Sequence, residues 1–462
     1  MLLSIFSCLA SFVVLMLLLR TQRHSLGLPI AYLFALLFIH VPGAVAHLVG
    51  SAYLSDTKAT KVGIYLTAIA AATFVVGVAL ARFLASKKSR NSTPSCRVSK
   101  IEFRHFTLFC LIAGLTITYT LRLVVNIPSI GAIIEKGGGV WVLGALLGLR
   151  AAVKRANSRE IVFWAAAICI YPVLTVLLGG FLSFGSTPVF IILSALAVST
   201  RNRWRVALAI PVVALFFFTL FLSYFQNRND IRDAVWGGEN MVTRISESGK
   251  MFTRIAWFDP DSEEHLDALD QRLNQNFFVG LAAERMEEGV VKPLYGRTFY
   301  EGLISLVPRI VWPSKPVVAG SPRTIMEMTG FMVNDSTSYG VGNVMEFHIN
   351  FGIPSLVIGF LLLGFSFGWL DYHAAIAVGR GQLGLSILFF MPAAAMIHPN
   401  GSLVELMSGG LASFLAAVGW RWLWSEYKER RSTGSSNQVE RHHRVDRKGK
   451  LRQRNIAEGG RR

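Results

Sequence analysis

Six cationic side chains that could bind an anion lie in one long polar segment, residues 226–350, of an otherwise strongly apolar chain. Arginine and lysine bind phosphate oxygens through charge-assisted hydrogen bonds, and together they can stabilise the charge on a departing pyrophosphate. The residue types therefore predict a site for phosphate or pyrophosphate, formed by Arg228, Arg232, Arg272, Arg309, Lys315 and Arg323.

A second set of side chains could remove a proton from a hydroxyl group. Glu346 and His348 lie at the end of the polar segment, just before a long apolar run, and His398 lies at the end of a later apolar run. Glu346 and Asn350 share a face if their turn is helical. Ionisable groups at membrane depth are costly and tend to be functional, so Glu346 is the first candidate for a general base.

Each of these residues also has a structural explanation. Arg228 and Arg232 could pair with Asp230 and Asp233, or extend to lipid head groups from a helix end. A carboxylate such as Glu346 could pair with an arginine of the loop and hold its shape. The ring of His398 could be satisfied by backbone groups at a helix end. The sequence leaves these alternatives open.

The elements that must position these side chains are membrane-spanning helices. The chain is 52% hydrophobic and only 16% charged, which is typical of a polytopic membrane protein. Apolar stretches of roughly 17 to 25 residues predict an all-α fold with about eleven spans. They are 2–19, 27–48, 62–86, 105–125, 139–153, 160–179, 182–199, 206–225, 351–370, 383–399 and 403–424.

Four regions follow from this pattern. Residues 1–225 form a membrane domain of about eight spans, and residues 226–350 form one large loop outside the membrane. Residues 351–424 contain the last three spans. Residues 425–462 form a basic tail with few apolar residues, which we expect to be disordered and to contact anionic lipid head groups.

The distribution of charge predicts the orientation of the chain. Lysines and arginines concentrate in alternate loops and in the tail, as the positive-inside rule requires of cytoplasmic segments. The N-terminus and the large loop are then outside, and the C-terminus is in the cytoplasm. The net charge of +18 comes from the cytoplasmic segments, since the large loop has 12 Lys or Arg against 17 Asp or Glu. It has no basic stripe for nucleic acid.

Several other functional classes lack their motifs. The sequence has no P-loop, no HExxH and no paired CxxC pattern, which weakens an ATPase or metalloprotease interpretation. Asp259 and Asp261 are spaced like the acidic metal motif of nucleotide-sugar transferases, but the predicted location is outside the cytoplasm. We expect Asp261 to cap a helix instead.

The large loop contains local helix signals. Asp261 or Ser262 can cap an amphipathic helix whose apolar residues recur as Leu266, Leu269, Leu273, Phe277 and Leu281. A second helix is predicted from Ser321 to a stop at Gly330. Between them, prolines stiffen the segment 308–316.

Three short motifs resemble a known family. They are Leu306-Val-Pro-Arg-Ile-Val-Trp-Pro-Ser-Lys-Pro316, Tyr339-Gly-Val-Gly342, and Glu346-Phe-His-Ile-Asn-Phe-Gly352. They resemble Wzy-type oligosaccharide repeat-unit polymerases of the O-antigen polymerase and ligase superfamily. The architecture, with ten or more helices and one large outer loop, is similar too. The resemblance implies a GT-C-like membrane glycosyltransferase that uses lipid-linked donors.

The resemblance also implies substrates, partners and a location. Donor and acceptor would both be oligosaccharides on undecaprenyl pyrophosphate, polymerised into O-antigen or exopolysaccharide at the periplasmic face of the bacterial inner membrane. It implies no metal and no other cofactor, and it allows a chain-length regulator as a partner. Trp312, Tyr339 and Asn350 are candidates for contacts to the glycan, although aromatic side chains also anchor proteins at membrane interfaces.

Two rival functions stay open. An O-antigen ligase would transfer the glycan to lipid A-core and would use a similar donor site. A polysaccharide flippase or other transporter should have charged residues along the axis of its helix bundle. The first eight predicted spans have few charges, which favours the enzyme.

Overall fold

The computed structural model describes residues 1–21, 24–49, 56–89, 98–118, 130–180, 183–200, 203–253, 257–259, 261–309, 311–316, 321–332 and 339–459. All regular secondary structure in these ranges is helical. The helices are α1 (Leu2–Thr21), α2 (Leu28–Val49), α3 (Thr57–Ser89), α4 (Lys100–Thr116), α5 (Ile130–Gly137), α6 (Val140–Arg155), α7 (Ser158–Gly179), α8 (Ser183–Ser199), α9 (Arg203–Trp236), α10 (Met241–Thr253), α11 (Glu263–Leu273), α12 (Gln275–Glu287), α13 (Arg297–Ser305), α14 (Ser321–Thr329), α15 (Asn343–Phe351), α16 (Ile353–Gly379), α17 (Leu383–Ala395) and α18 (Leu403–Gly459).

The chain is an all-α, multi-pass membrane protein. Seven stretches of the described residues are long and apolar enough to cross a membrane. They are Leu2–Thr21, Leu28–Val49, Thr57–Lys87, Ile130–Lys154, Ser158–Leu177, Ile353–Gly379 and Leu403–Arg431. Every predicted span overlaps a helix, but the number of eleven crossings stays a prediction.

Two helices extend beyond the boundaries that hydropathy suggests. Helix α9 continues past the predicted span 206–225 and ends at Trp236, so Arg228 and Arg232 lie on a continuous helix. Helix α18 continues through the predicted disordered tail to Gly459. The disorder and the lipid contact expected for residues 425–462 stay predictions.

The predicted amphipathic helix of the loop is split in two. Ser262, not Asp261, is the cap of α11, because its hydroxyl accepts the backbone N–H of His265 at 3.4 Å. The carboxylate of Asp259 accepts the N–H of Asp261, so this pair forms a turn and the expected capping by Asp261 is wrong. The helix breaks at Asn274, whose side-chain amide donates to Asp270 at 2.6 Å.

Helix α12 is tightly docked on the membrane helix α3. A Cβ atom at Gly280 would overlap the backbone carbonyl of Ala59, which shows how closely the two helices approach. Next to this contact, the fully buried side chain of Asn276 accepts hydrogen bonds from the ring of His40 and from the hydroxyl of Thr67. A buried polar group needs such partners. The network therefore fixes the start of α12 against α2 and α3.

One ion pair is buried inside the helix bundle. Arg82 of α3 pairs with Asp371 of α16, and both side chains are fully buried. The Asp371 carboxylate also accepts the hydroxyl of Ser25 and the backbone N–H groups of Leu26 and Leu28. The expectation of few charges in the first eight spans holds with Arg82 in the third span, and Asp371 lies one residue after the predicted ninth span.

Candidate functional site

Three arginines of the predicted anion site come together between α9 and α11. Arg228 and Arg272 both lie over the ring of Phe225, with guanidinium-to-centroid distances of 4.6 and 5.4 Å. Arg272 also lies 4.8 Å from the ring centre of Tyr339. Arg232, one turn further along α9 than Arg228, lies over the ring of Trp236 at 5.3 Å. We call Arg228, Arg232 and Arg272 the arginine cluster.

Helical spacing explains how α9 presents its part of the cluster. Residues three and four positions apart lie on the same side of a helix, so Phe225, Arg228, Arg232 and Trp236 form one stripe. Arg272 comes from the last turn of α11, where a cation interacts favourably with the helix dipole. The aromatic rings hold the guanidinium groups by their π faces.

Two arginines of the cluster, Arg228 and Arg272, carry positive charge that no carboxylate of the described residues neutralises. Within the described ranges, Arg228 and Arg272 make no ion pair, so the alternative in which Arg228 pairs with Asp230 or Asp233 does not hold there. Burial lowers the pKa of Arg228, and the neighbouring charges of Arg272 and Arg232 lower it further. Burial also lowers the pKa of Arg272. An anion at this position would relieve the repulsion between the arginines.

The cations of the proline-rich segment are engaged by their own backbone. The ammonium group of Lys315 donates to the carbonyls of Ser305 and Val307 at 3.1 and 3.0 Å, at the end of α13. Arg309 donates to the carbonyl of Lys315 at 3.0 Å. Burial and the charge of Arg309 lower the pKa of Lys315. These contacts hold the segment in shape, as a cation at a helix C-terminus does.

Two further predicted residues of this region do not join the arginine cluster. The indole N–H of Trp312 donates to the hydroxyl of Ser314 at 3.2 Å. Arg323 is exposed on α14, and its charge acts on Glu301 and Glu327. The pyrophosphate role proposed for Arg309, Lys315 and Arg323 therefore has no geometric support beyond the residue types.

Glu346 lies on α15 and is buried against the start of α18, with 3% of its surface exposed. Its carboxylate accepts the backbone N–H of Leu403, the first residue of that helix, at 2.6 Å. Burial raises its pKa to about 8, although the hydrogen bonds from Leu403 and Thr298 oppose the shift. The N-terminus of α18 also has its own capping box, formed by Ser402 and Glu405. Glu346 thus caps a helix, and its burial disfavours the ionised form of its carboxyl.

The predicted helical turn around Glu346 is confirmed as α15, and its two other polar residues have different surroundings. The buried amide of Asn350 donates to Thr298 and to the carbonyl of Glu346, and it accepts the N–H of Gly296. Asn350 is therefore occupied in joining α15 to the start of α13. The Nδ1 atom of His348 is enclosed and has no hydrogen-bond partner in the described part of the chain. Burial lowers the pKa of His348 to about 4.

His398 lies in the short connection between α17 and α18. Its Nε2 atom is 3.6 Å from a carboxylate oxygen of Glu405. Burial lowers the pKa of His398, and the charge of Glu405 opposes this effect. Because Glu346 and Glu405 both act on the start of α18, the three candidate proton acceptors are grouped around α15 and that helix start.

Tyr339 links the arginine cluster to this group. Tyr339 lies four residues before the start of α15 at Asn343. Its ring contacts Arg272 and packs edge-on against Phe278. The amide of Gln275 donates to the carbonyls of Gly340 and Val341, which fixes the same turn to α12. Among the residues with described positions, we found no group of three or more His, Cys, Asp or Glu side chains that could hold a metal ion.

A family model described as "Domain of unknown function (DUF8712)" matches residues 44–397. The chain belongs to this family. No curated protein and no solved structure matches it. The matched region of this DUF8712 chain contains the arginine cluster, α15 and the buried pair of Arg82 and Asp371, so it includes the candidate site almost completely.

Sequence reasoning missed several residues of this DUF8712 site. Phe225 and Trp236 escaped notice because aromatic residues are common in apolar helices, although their spacing from Arg228 and Arg232 is helical. The capping box of Ser402 and Glu405 was readable from its spacing. Thr298 had no sequence signal, since its contact with Asn350 comes from a distant helix.

Proposed function

We propose that this chain is a membrane glycosyltransferase that polymerises oligosaccharide repeat units carried on undecaprenyl pyrophosphate. The observation that carries the proposal is the arginine cluster, in which Arg228 and Arg272 have no carboxylate partner in the described ranges. Such a cluster suits a pyrophosphate, because planar guanidinium groups bind phosphate oxygens in pairs. The resemblance of the motifs around Pro308–Pro316 and Glu346–Gly352 supplies the substrate class.

The proposed reaction is a single transfer at the anomeric carbon of the donor. A hydroxyl oxygen of the acceptor sugar bonds to that carbon, and the bond from the carbon to the pyrophosphate oxygen breaks. The arginine cluster stabilises the charge on the departing pyrophosphate. The hydroxyl proton passes to a base, for which Glu346 is the first candidate and His348 and His398 are the others.

Glu346 matches this task in its pKa, and its surroundings limit it. A base works best when its pKa lies near the operating pH, and burial places Glu346 at about 8. Its carboxylate is already bonded to the backbone of Leu403. In our proposal the acceptor hydroxyl replaces the Leu403 N–H at the Glu346 carboxylate or binds beside it. Variants of Glu346 therefore test its role as a base and its role as a cap together.

The proposal is tested with purified protein and a defined lipid-linked repeat unit. We expect a ladder of products that differ by one repeat, and no ladder from a variant that lacks Arg228 and Arg272. A ligase would instead transfer the glycan once, to a lipid A-core acceptor. Single transfer to lipid A-core without a ladder would move the assignment to the ligase. If neither product forms, the glycosyltransferase proposal is contradicted.

One observation favours the transporter alternative: the charged pair of Arg82 and Asp371 lies inside the helix bundle. The carboxylate of this pair accepts hydrogen bonds from Ser25 and Leu26, and its guanidinium donates to the carbonyl of His24, so the pair joins α3 and α16 to the segment before α2. Counting lipid-linked units that cross a liposome bilayer would separate the two functions. Translocation without any new glycosidic bond would support the transporter.

The proposed location of the site requires the large loop to face the periplasm. In a background without native cysteines, Ser246→Cys in the loop should react with an impermeant thiol reagent on intact spheroplasts. Arg430→Cys, at an exposed position within α18, should react only after permeabilisation. The opposite labelling pattern would contradict the proposed site, because the donor glycan would be on the other side.

A further inference from the structure

An open cleft of about 560 Å³ lies between α9 and α11, directly beside the arginine cluster. Arg228 and Phe225 belong both to the cleft and to the cluster, so a group attached to a bound pyrophosphate would enter the cleft. The side chains that matter for its chemistry are Phe225, Gln226, Arg228, Glu264, Asp267 and Gln271.

The two walls of the cleft present many groups that bind hydroxyls. On α11, Glu264, Asp267 and Gln271 are three or four residues apart and share one face. Across the cleft, α9 contributes Gln226, whose amide donates to Glu264 at 3.2 Å and joins the walls. Carboxylates accept hydrogen bonds and side-chain amides both donate and accept them, which matches the alternating donors and acceptors of a sugar ring. The ring of Phe225 adds an apolar surface.

The wall on α11 carries uncompensated negative charge. The Oδ1 atom of Asp267 is enclosed and has no hydrogen-bond donor among the described residues. Burial raises the pKa of Asp267, and the charges of Asp270 and Glu263 raise it further. A second anion brought to this wall would meet the same repulsion. A hydroxyl or ammonium donor would relieve it.

The cleft is therefore lined by charges of both signs. Arg228 lies on the α9 wall, and Glu264 and Asp267 lie on the α11 wall. The charges of Arg232 and Arg272 act on Arg228, and the charge of Glu263 acts on Asp267. A ligand that fits has an anionic group against Arg228 and a neutral or cationic group, rich in hydroxyls, against the carboxylates.

We propose that this cleft binds the sugar attached directly to the donor pyrophosphate, and that it selects a neutral or amino sugar over a uronic acid. The inference rests on the proposed function, which places pyrophosphate at the arginine cluster. It adds the charge class of the first sugar, which the motifs do not specify.

The test measures binding of four probes to the full-length protein in phosphatidylcholine nanodiscs. The probes are undecaprenyl pyrophosphate without sugar and the same lipid carrying N-acetylglucosamine, glucosamine or glucuronic acid. We expect the first two sugars to tighten binding about tenfold over the sugar-free lipid, the effect of one additional hydrogen bond to a charged group. Glucuronic acid should bind about tenfold more weakly than N-acetylglucosamine.

The variant Glu264→Gln with Asp267→Asn keeps the size of both side chains and removes the negative charge. It should bring glucuronic acid within about twofold of N-acetylglucosamine and leave the sugar-free lipid unchanged, since only the repulsion is removed. Asp261→Asn, an exposed acid of the same loop outside the cleft, is the matched control and should leave all ratios as they are.

The outcomes separate this inference from the proposed function. Sugar-free lipid that binds equally well to Arg272→Ala overturns the proposed function and the inference with it. Binding that depends on Arg272 without discrimination among the sugars overturns the inference alone. Discrimination that disappears when phosphatidylethanolamine replaces phosphatidylcholine also overturns it, because the cleft would then bind the ammonium of the lipid head group, whose N–H groups choline lacks.

Discussion

The arginine cluster and the proline-rich segment 308–316 both contain cations and aromatic rings, but their charges are used differently. In the cluster, the guanidinium groups of Arg228 and Arg272 face aromatic rings. In the proline-rich segment, Lys315 and Arg309 donate to backbone carbonyls. A ring face leaves the N–H groups at the edge of a guanidinium open to a ligand, whereas a carbonyl consumes donors.

This contrast shows that residue type does not determine whether a cation can bind an anion. A lysine whose ammonium group donates to two carbonyls at the end of a helix has one N–H left for a phosphate. An arginine stacked on a ring can bind phosphate without losing that contact. In the proline-rich motif the cations hold the backbone in shape, and the arginines stacked on aromatic rings lie outside that motif.

The largest expected effect is the loss of the cluster itself. Replacing Arg228 and Arg272 together by Ala should reduce polymer formation by about 100-fold or more, because two charge-assisted contacts to the departing pyrophosphate disappear. Initial rates of product-ladder formation measure the effect. Arg323→Ala is the matched control, since that exposed cation lies beside Glu301 and Glu327, and it should stay within about twofold of wild type. A control that loses as much activity as the double variant would show that the loss comes from the general charge of the loop and not from the arginine cluster.

Glu346 tests whether a buried group can be scaffold and catalyst at once. As a base, Glu346→Gln should lose about 100-fold in turnover with donor binding intact, and Glu346→Asp should retain part of the activity. If Glu346 serves only as a cap, Glu346→Gln should lose thermal stability and only a small, proportionate amount of product. A stable Gln variant with near wild-type turnover would transfer the role to His348 or His398.

The same carboxyl predicts a pH dependence of stability. Its pKa is about 8 in the folded protein against an ordinary 4.5, so the folded state favours the protonated form. The contribution of this carboxyl to stability should therefore be fully present below about pH 4.5 and should be lost as pH rises through about 8. The melting temperature of Glu346→Gln should lack this contribution over the same range. An unchanged pH profile would show that another group causes the decrease.

Lys315 should affect stability more than chemistry. Lys315→Met removes the donor to the carbonyls of Ser305 and Val307 but keeps the length of the side chain. We expect a loss of about 1 kcal/mol, since water can replace part of the contact, and a decrease of a few degrees in melting temperature. Turnover per folded molecule should stay near wild type. A strong loss of turnover without destabilisation would support the predicted anion-binding role of Lys315 instead.

The smallest expected effect concerns the aromatic faces. Tyr339→Leu removes the ring that lies 4.8 Å from Arg272 but keeps an apolar side chain. A cation–π contact at a partly exposed position contributes about 0.5 to 1 kcal/mol, so the Kd of the sugar-free lipid pyrophosphate should increase about threefold. Tyr300→Leu, an exposed tyrosine on α13, is the control. An unchanged Kd would mean that the ring does not orient Arg272.

The sequence predicted those features that depend on neighbours along the chain. The helical turn that places Glu346 and Asn350 on one face and the helix from Ser321 to the stop at Gly330 are visible in local patterns. The break at Asn274 was not visible, because the apolar period continues through it. Asn274 leaves the helix in order to bond Thr60 of α3, a partner far away in sequence.

Hydropathy and residue spacing alone determined that this is an all-α membrane protein with a large polar segment near its C-terminal third, because apolar length and helical period are properties of one segment. Only the tertiary structure decided which cations are available. Arg272 gains its place from α9 and from Tyr339, and Glu346 gains its raised pKa from burial against the start of α18. The sequence determines which residues carry a charge, but burial and partners distant in sequence determine what that charge can bind.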